Sequence, residues 1–195
     1  MSTPSTTRQQ AIRTLAAVCL KNSRYDFVQG GRGGDYVDVD QLFAEPSDGD
    51  MAQVLDLLVD KINQYHAQQP LSAVAFVERD SGPVGLVASR HWIASRCGLP
   101  TLVVRPQKRI ARSAIKGSRI EQGDLVALVT DVATTGRSIV RAANVVWQAG
   151  GRVAVVIPLV DRECGARELL KRMDLDLDPV ESISTLREAN ASLTK

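Results

Sequence analysis

No stretch of this sequence comes near the roughly 18 to 20 consecutive apolar residues that a bilayer-spanning helix needs, and the opening MSTPSTTRQQ lacks the apolar core of a secretory leader. The expectation is a cytoplasmic protein with no membrane partner. Charge of one sign is scarce too, because 24 Lys and Arg against 22 Asp and Glu leave a net charge of only +2. A general nucleic-acid binder carries a basic excess, so no nucleic-acid partner is expected and any electrostatic function is local. Cysteine and histidine are few. Cys19, Cys97 and Cys164 are odd in number and far apart, giving neither a disulfide framework nor a CxxC metal site, and they read as buried or inert thiols. His66 and His91 are the only imidazoles and lie in helical patterns, where a surface or half-buried histidine is ordinary, so a zinc site is not expected. Neither GxGxxG behind a strand nor GxxxxGK before Ser or Thr occurs, which sets aside the usual dinucleotide and nucleoside-triphosphate loops.

What remains is an ordinary globular composition. Apolar residues make up 44% and charged residues 24% of 195 positions, which excludes disordered, collagen-like and coiled-coil chains and suits one domain over residues 1–195. Ile12, Leu15, Ala16 and Cys19 repeat at helical spacing over 7–21, with Asn22-Ser23 as a stop. Glycines 30, 31, 33 and 34 read as a turn, followed by the alternating strand Tyr36-Val37-Asp38-Val39-Asp40. From Met51, the positions Val54, Leu55, Leu58, Val59, Ile62 and Tyr65 predict a helix behind Ser47 and Asp48 as caps.

Continuous apolar runs occur at 73–77, 101–104, 125–129 and 153–160, too short for helices and too uniformly apolar for half-exposed strands. They predict central parallel strands. Helical patterns at 84–96 and 137–149 lie between them, the second with Ile139, Ala142, Ala143, Val146 and Trp147 on one face and Gly150-Gly151 as terminator. Strand and helix in alternation mean an α/β fold with right-handed crossovers around a central parallel sheet.

Ligands of open parallel sheets bind beyond the carboxyl ends of the strands. There the run Leu125 to Val129 gives way to Thr130-Asp131-Val132-Ala133-Thr134-Thr135-Gly136-Arg137-Ser138 and at once to a helix. Small residues entering a helix present free backbone N–H groups and the positive end of the dipole to one point, which suits a phosphate. Thr134, Thr135 and Ser138 add hydroxyls, Gly136 permits close approach, and Asp131 is placed to accept from sugar hydroxyls. A plain helix cap would use the same residue types.

The stretch LVALVTDVATTGRS resembles the phosphoribosyl-diphosphate signature of the type I phosphoribosyltransferases, and the chain is similar in particular to their orotate branch. Phe27-Val28-Gln29-Gly30-Gly31-Arg32 and Tyr36-Val37-Asp38 resemble the amino-terminal hood of that branch, and Val160-Asp161-Arg162-Glu163 with Gly165 the segment after its next strand, so the likeness covers most of residues 7–170. It implies a type I phosphoribosyltransferase fold with a core over 50–170 and a hood from 1–45 and part of the C-terminus. It also implies phosphoribosyl-diphosphate binding by Asp131, Val132, Ala133, Thr134, Thr135, Gly136, Arg137 and Ser138, together with Arg79, Ser81 and Gly82 of the turn Glu78-Arg79-Asp80-Ser81-Gly82-Pro83. Thr134 and Arg162 match the positions that contact the orotate base and its carboxylate, and an arginine fork suits a planar carboxylate. Arg105, Lys108 and Arg109 fall in the family's mobile basic loop and, with Asp131, are the catalytic candidates. Mg2+ bound mainly through the substrate, and a homodimer whose neighbour's loop completes the site, are implied as well.

The chain departs from the family pattern in places. Thr130 stands where the signature has its first acid, leaving Asp131 alone; Pro106 and Arg109 stand in place of lysines, and Ala111 in place of a histidine. A one-residue shift would put Lys108 at the lysine position. The resemblance therefore implies transfer of ribose 5-phosphate from phosphoribosyl diphosphate to orotate or a related base, and leaves open a regulatory protein of the same fold that binds phosphoribosyl diphosphate or a nucleotide without catalysis.

Overall fold

The computed structural model describes residues 4–21, 36–44, 48–78, 85–106 and 114–193. Helix α1 (Pro4–Cys19) buries Ala11, Leu15, Ala16 and Cys19. It stops short of the expected Lys21, because Leu20–Lys21 form strand β1 and pair antiparallel with β2 (Tyr36–Val37) in the register Leu20↔Val37 and Lys21↔Tyr36. Of the alternating segment 36–40 expected as a strand, only Tyr36 and Val37 pair; Val39 and Asp40 turn into the next helix, and the Asp38 N–H donates to Cys19 O at 2.8 Å to close the junction. After α2 (Gln41–Ala44) comes α3 (Asp48–Gln68), with Val54, Leu55, Leu58, Val59 and Ile62 buried as their spacing predicts. His66, at its end, accepts the Leu71 N–H on Nδ1 at 3.0 Å, a turn-closing bond; His91 is exposed.

Six strands make the main sheet: β3 (Ala73–Val77), β4 (Thr101–Val104), β5 (Ile115–Gly117), β6 (Leu125–Ala133), β7 (Arg152–Asp161) and β8 (Glu181–Ser182). Their order is β5-β4-β3-β6-β7-β8, and all pairings are parallel except that of β5 with β4. The sheet is thus mixed, with an antiparallel edge strand that sequence reading did not resolve. β5 returns beside β4, and the Arg105 N–H donates to Ala114 O at 2.7 Å across the base of the intervening basic segment. Strand order reverses between β3 and β6, the topological switch point where open α/β sheets form their clefts.

Apolar clusters cover both faces. One joins α1 and α3 to Val74, Phe76, Ala127, Val129, Val155 and Ile157, and the other joins Ala75, Leu102, Val126, Leu128 and Val156 to α6 (Arg137–Gln148). Because the central strands are dry on both sides, their runs are uniformly apolar. The helix expected over 84–96 is two: α4 (Gly85–Ala88) and α5 (Arg90–Cys97) meet at Ser89, whose hydroxyl donates to Gly85 O at 3.0 Å. A Cβ on Gly85 would land on the Phe43 side chain, so glycine there lets α2 and α4 approach. The chain closes with α7 (Ala166–Lys171) and α8 (Ile183–Leu193), the latter packed on α1. No helix among the described residues is long and apolar enough to cross a membrane.

Two of the three thiols are withdrawn from solvent and the third is not. Cys19 is buried and Cys97 half-buried, but Cys164 is exposed in the tight β7–α7 connection, which is too short to cover it. Burial disfavours the thiolate and pushes Cys97 up to about 11 from an ordinary 9.0. A raised folded-state pKa stabilises the fold below the unfolded value and loses that contribution as pH rises through the folded one. At pH 7.5 iodoacetamide is therefore expected to modify Cys164 first, and Cys97 to react only as pH climbs past 9.0 toward about 11, read by mass spectrometry of peptides. Cys97 labelling equal to that of Cys164 at neutral pH would contradict this.

Candidate functional site

The sheet register builds a ledge at the switch point. β3 pairs with β6 only as far as Phe76↔Val129, while β6 and β7 continue together to Val132↔Val160 and Ala133↔Asp161. The strand thus runs four residues past the apolar run at 125–129, and Asp131 lies within it rather than in the following turn. Alternation breaks here: Ala127, Val129 and Val132 all pack on the α1/α3 side, although Val132 lies an odd number of positions along the strand from the other two. Opposite Thr130 stands Pro158, which has no N–H for the ladder. Thr130 and Asp131 are both buried, with the Thr130 hydroxyl donating to Asp131 Oδ1 at 3.2 Å.

Beyond Ala133 the chain turns through Thr134, Thr135 and Gly136 into α6. Gly136 is the N-cap residue, at φ 77°, and among the described residues no side chain caps the helix. The Val140 N–H donates to Gly136 O at 3.0 Å as the first helical bond, so the N–H groups of Arg137, Ser138 and Ile139 precede any intrahelical acceptor. A Cβ at Gly136 would also come within 3.3 Å of Ala166 Cα. Glycine is required here twice, by the left-handed backbone and by the close packing on α7.

A cleft of about 210 Å³ opens at this point, lined by Asp131, Val132, Thr134, Thr135, Gly136 and Ser138, with Arg162, Tyr36 and Val37. Arg162 comes from the end of β7, and its N–H donates to Ala133 O at 2.8 Å, which sets it directly beside the Thr134 turn. A buried carboxylate, a helix start rich in hydroxyls and a guanidinium thus share one small opening. That combination can hold a phosphate, hydrogen-bond a sugar and pair with a second anion.

The other expected site residues are placed differently. Ala133 is fully buried in the core beneath the sheet, and Arg137 is exposed outside the cleft lining. Arg105 sits at the end of β4, away from that lining, and its Nε lies 3.7 Å from Glu78 Oε2. Arg79, Ser81, Gly82, Lys108 and Arg109 lie outside the described residues, as does Ala111. Tyr36 and Val37 line the cleft but were not among the site residues proposed from the sequence; their alternation and nearby glycines marked a strand, and only the β1–β2 pairing brings it here.

Among the described residues, no three His, Cys, Asp or Glu converge as a metal cage. The donor set in the cleft is one buried carboxylate among hydroxyls. Such a set fits a cation like Mg2+, which keeps several waters and takes one or two carboxylates with substrate phosphates supplying the rest.

No family model matches the sequence. The chain is similar to the orotate phosphoribosyltransferase of Natronomonas pharaonis, at 33% identity over 90% of this chain and 93% of that one. It is 30% identical to the orotate phosphoribosyltransferase of Methanothermobacter thermautotrophicus, over 91% and 92% of the two chains. The crystal structure of orotate phosphoribosyltransferase from Aeropyrum pernix superposes with a TM-score of 0.74 at 27% identity, covering 95% of this chain and 99% of that one.

Substituting Gly136 tests the loop without touching charge. Gly136→Ala is expected to cost about 1–2 kcal/mol from the left-handed backbone alone, lowering Tm by roughly 2–8 °C. It should also weaken inorganic phosphate binding several-fold by calorimetry. Unchanged phosphate binding would place the anion elsewhere.

Proposed function

The chain belongs to the orotate phosphoribosyltransferase family, and from that premise we propose that it transfers ribose 5-phosphate from phosphoribosyl diphosphate to a ring nitrogen of orotate, releasing diphosphate, in pyrimidine nucleotide synthesis. The observation that carries this reading is the cleft itself, whose lining brings together a helix start without a side-chain cap, the buried Asp131 and Arg162. The helix start suits a phosphate, the arginine a carboxylate, and Asp131 offers a hydrogen-bond acceptor for a sugar.

The reaction breaks the bond from the anomeric carbon to diphosphate and forms a bond to the base nitrogen, with positive charge growing on the ribose between the two events. The Thr134 to Ser138 turn holds the 5-phosphate through N–H and hydroxyl donors. Asp131 accepts from the ribose hydroxyls and offsets the growing positive charge. Thr130 assists by donating to Asp131 Oδ1, so the residue that replaces an acid still orients its neighbour. Arg162 and Thr134 bind the orotate carboxylate and ring and fix the nitrogen for attack. Arg105, with Lys108 or Arg109, neutralises the departing diphosphate, and Arg79, Ser81 and Gly82 hold it at the end of β3. Mg2+, held by Asp131 and the substrate oxygens, supplies charge neutralisation to the phosphates when bound. Arginine in place of lysine keeps a permanent charge on the loop. The same reading makes the protein a cytoplasmic homodimer in which the neighbour's basic loop completes the site.

One observation favours a second reading, a phosphoribosyl-diphosphate or nucleotide-binding regulator without turnover. The Glu78 carboxylate lies 3.7 Å from Arg105, so a cation assigned to diphosphate already faces an internal anion.

Purified protein with orotate, phosphoribosyl diphosphate and Mg2+ is expected to consume orotate, followed by its absorbance. Calorimetric binding of phosphoribosyl diphosphate without turnover at high enzyme concentration would establish the regulator instead. Arg162→Ala should lower kcat/KM for orotate by about 30- to 150-fold, the worth of a charged hydrogen-bonding pair at about 2–3 kcal/mol. Unchanged kinetics would move the base to other residues.

A further inference from the structure

Arg162 is the first residue beyond β7, where the chain enters a sharp connection to α7 in which Glu163 takes the left-handed backbone at φ 55° and Gly165 does so at φ 92°. A glutamate rarely adopts that conformation, and one that does is held by its surroundings. Three bonds do so. The buried Asp161 accepts the Glu163 N–H on Oδ1 at 2.9 Å, with its other oxygen 3.6 Å from Arg167 Nη2. The Cys164 thiol donates to Arg162 O at 3.2 Å. The Ser184 hydroxyl, from the first turn of α8, donates to Glu163 Oε1 at 2.9 Å across 21 residues of sequence.

The Ser184 contact belongs to a chain of hydroxyls whose direction can be worked out. A carboxylate has no proton to give, so Ser184 spends its only one on Glu163. Ser182 Oγ, 2.7 Å from Ser184 Oγ, must then donate to it, which leaves Ser182 to accept from Thr185 Oγ1 at 3.1 Å and from the Thr185 N–H at 3.2 Å. Thr185, Ser182 and Ser184 thus point their protons in one direction and converge on Glu163, each bond polarising the next. Ser182 also caps α8 through the Thr185 N–H, so the array is anchored to a helix rather than to a loop.

We propose that Glu163, held by the Ser182-Ser184-Thr185 array, is a positioning residue that fixes Arg162 toward the cleft. This rests on the assignment of Arg162 to the orotate carboxylate. Neither Glu163 nor Ser184 lines the cleft, so their effect on the base is transmitted through the backbone of Arg162.

The test separates the array from the assignment beneath it. Ser184→Ala and Glu163→Ala are expected to raise KM for orotate about five- to tenfold, less than the full worth of a charge-assisted hydrogen bond because the effect reaches the base only through Arg162, with kcat and KM for phosphoribosyl diphosphate within about twofold of the parent. Ser184→Thr, which keeps the hydroxyl, should restore the parent KM. In an Arg162→Ala background Ser184→Ala should add nothing, since the residue it positions is gone. The Arg162 Nε–H resonance, assigned by its loss in Arg162→Ala, should shift and broaden in Ser184→Ala whatever the substrate. Equal rises in both KM values, or an additive loss in the double variant, would overturn the proposal, as would an unmoved Nε–H resonance. Arg162→Ala with parent orotate kinetics would instead refute the base assignment, and the resonance would still decide whether the array holds Arg162.

Discussion

The pairing of β6 with β7 beyond the end of β3 is the constraint on which the site depends. Had all three strands stopped together at Val129, Asp131 would sit in a solvated turn and Arg162 would have no fixed neighbour. Instead Val132↔Val160 and Ala133↔Asp161 extend the ladder as a two-stranded ledge, and the Arg162 N–H bonds to Ala133 O at its tip. The turn into α6 begins at that same tip. The backbone of Arg162 is therefore held beside the helix start by a main-chain hydrogen bond, which leaves only its own side chain to be oriented and favours a preorganised site.

The sequence shows the ledge only in part. Uniformly apolar runs gave β3, β4 and the first half of β6, because a strand buried on both faces has a simple signature. Thr130 and Asp131 interrupt that signature, and a polar pair after an apolar run reads as a strand end. Here the ladder to β7 continues past them to Ala133, and both polar side chains are buried. The turn at Thr134 to Gly136 was legible because its chemistry is local: small residues, a glycine and a helix start in succession. Tyr36 and Val37 were not, since their place on the cleft follows from a two-residue strand pairing that no periodicity encodes. β5 and β8, at three and two residues, are likewise too short to carry a pattern.

A net charge of +2 on 195 residues disguises how charge is arranged around this cleft. Each acid near the ledge has a specific partner. Asp161 accepts a backbone N–H and faces Arg167, Glu163 accepts a serine hydroxyl, and Glu78 faces Arg105. Carboxylates engaged in this way hold backbone and cations in position while adding little repulsion toward an anionic ligand. Global charge balance thus says little about the local field, and helix-start N–H groups, which never enter a count of ionisable residues, supply part of the attraction.

The cleft also depends on elements far from it. Its outer wall is β2, which among the described residues pairs with β1 alone, and β1 continues directly from α1. α1 in turn packs on α8, whose first turn carries the hydroxyl array beneath Glu163. The exposed Arg8 side chain reaches Glu181, a buried acid one residue before Ser182, at 2.9 Å. Removing Arg8 would leave that buried carboxylate without its cation, a cost larger than the pair's own worth. One helix therefore bears on both sides of the opening, on Tyr36 through β1 and on Arg162 through Glu181, Ser182 and Ser184. Packing between α1 and α8 thus supports residues on two walls of a cleft whose floor comes from β6.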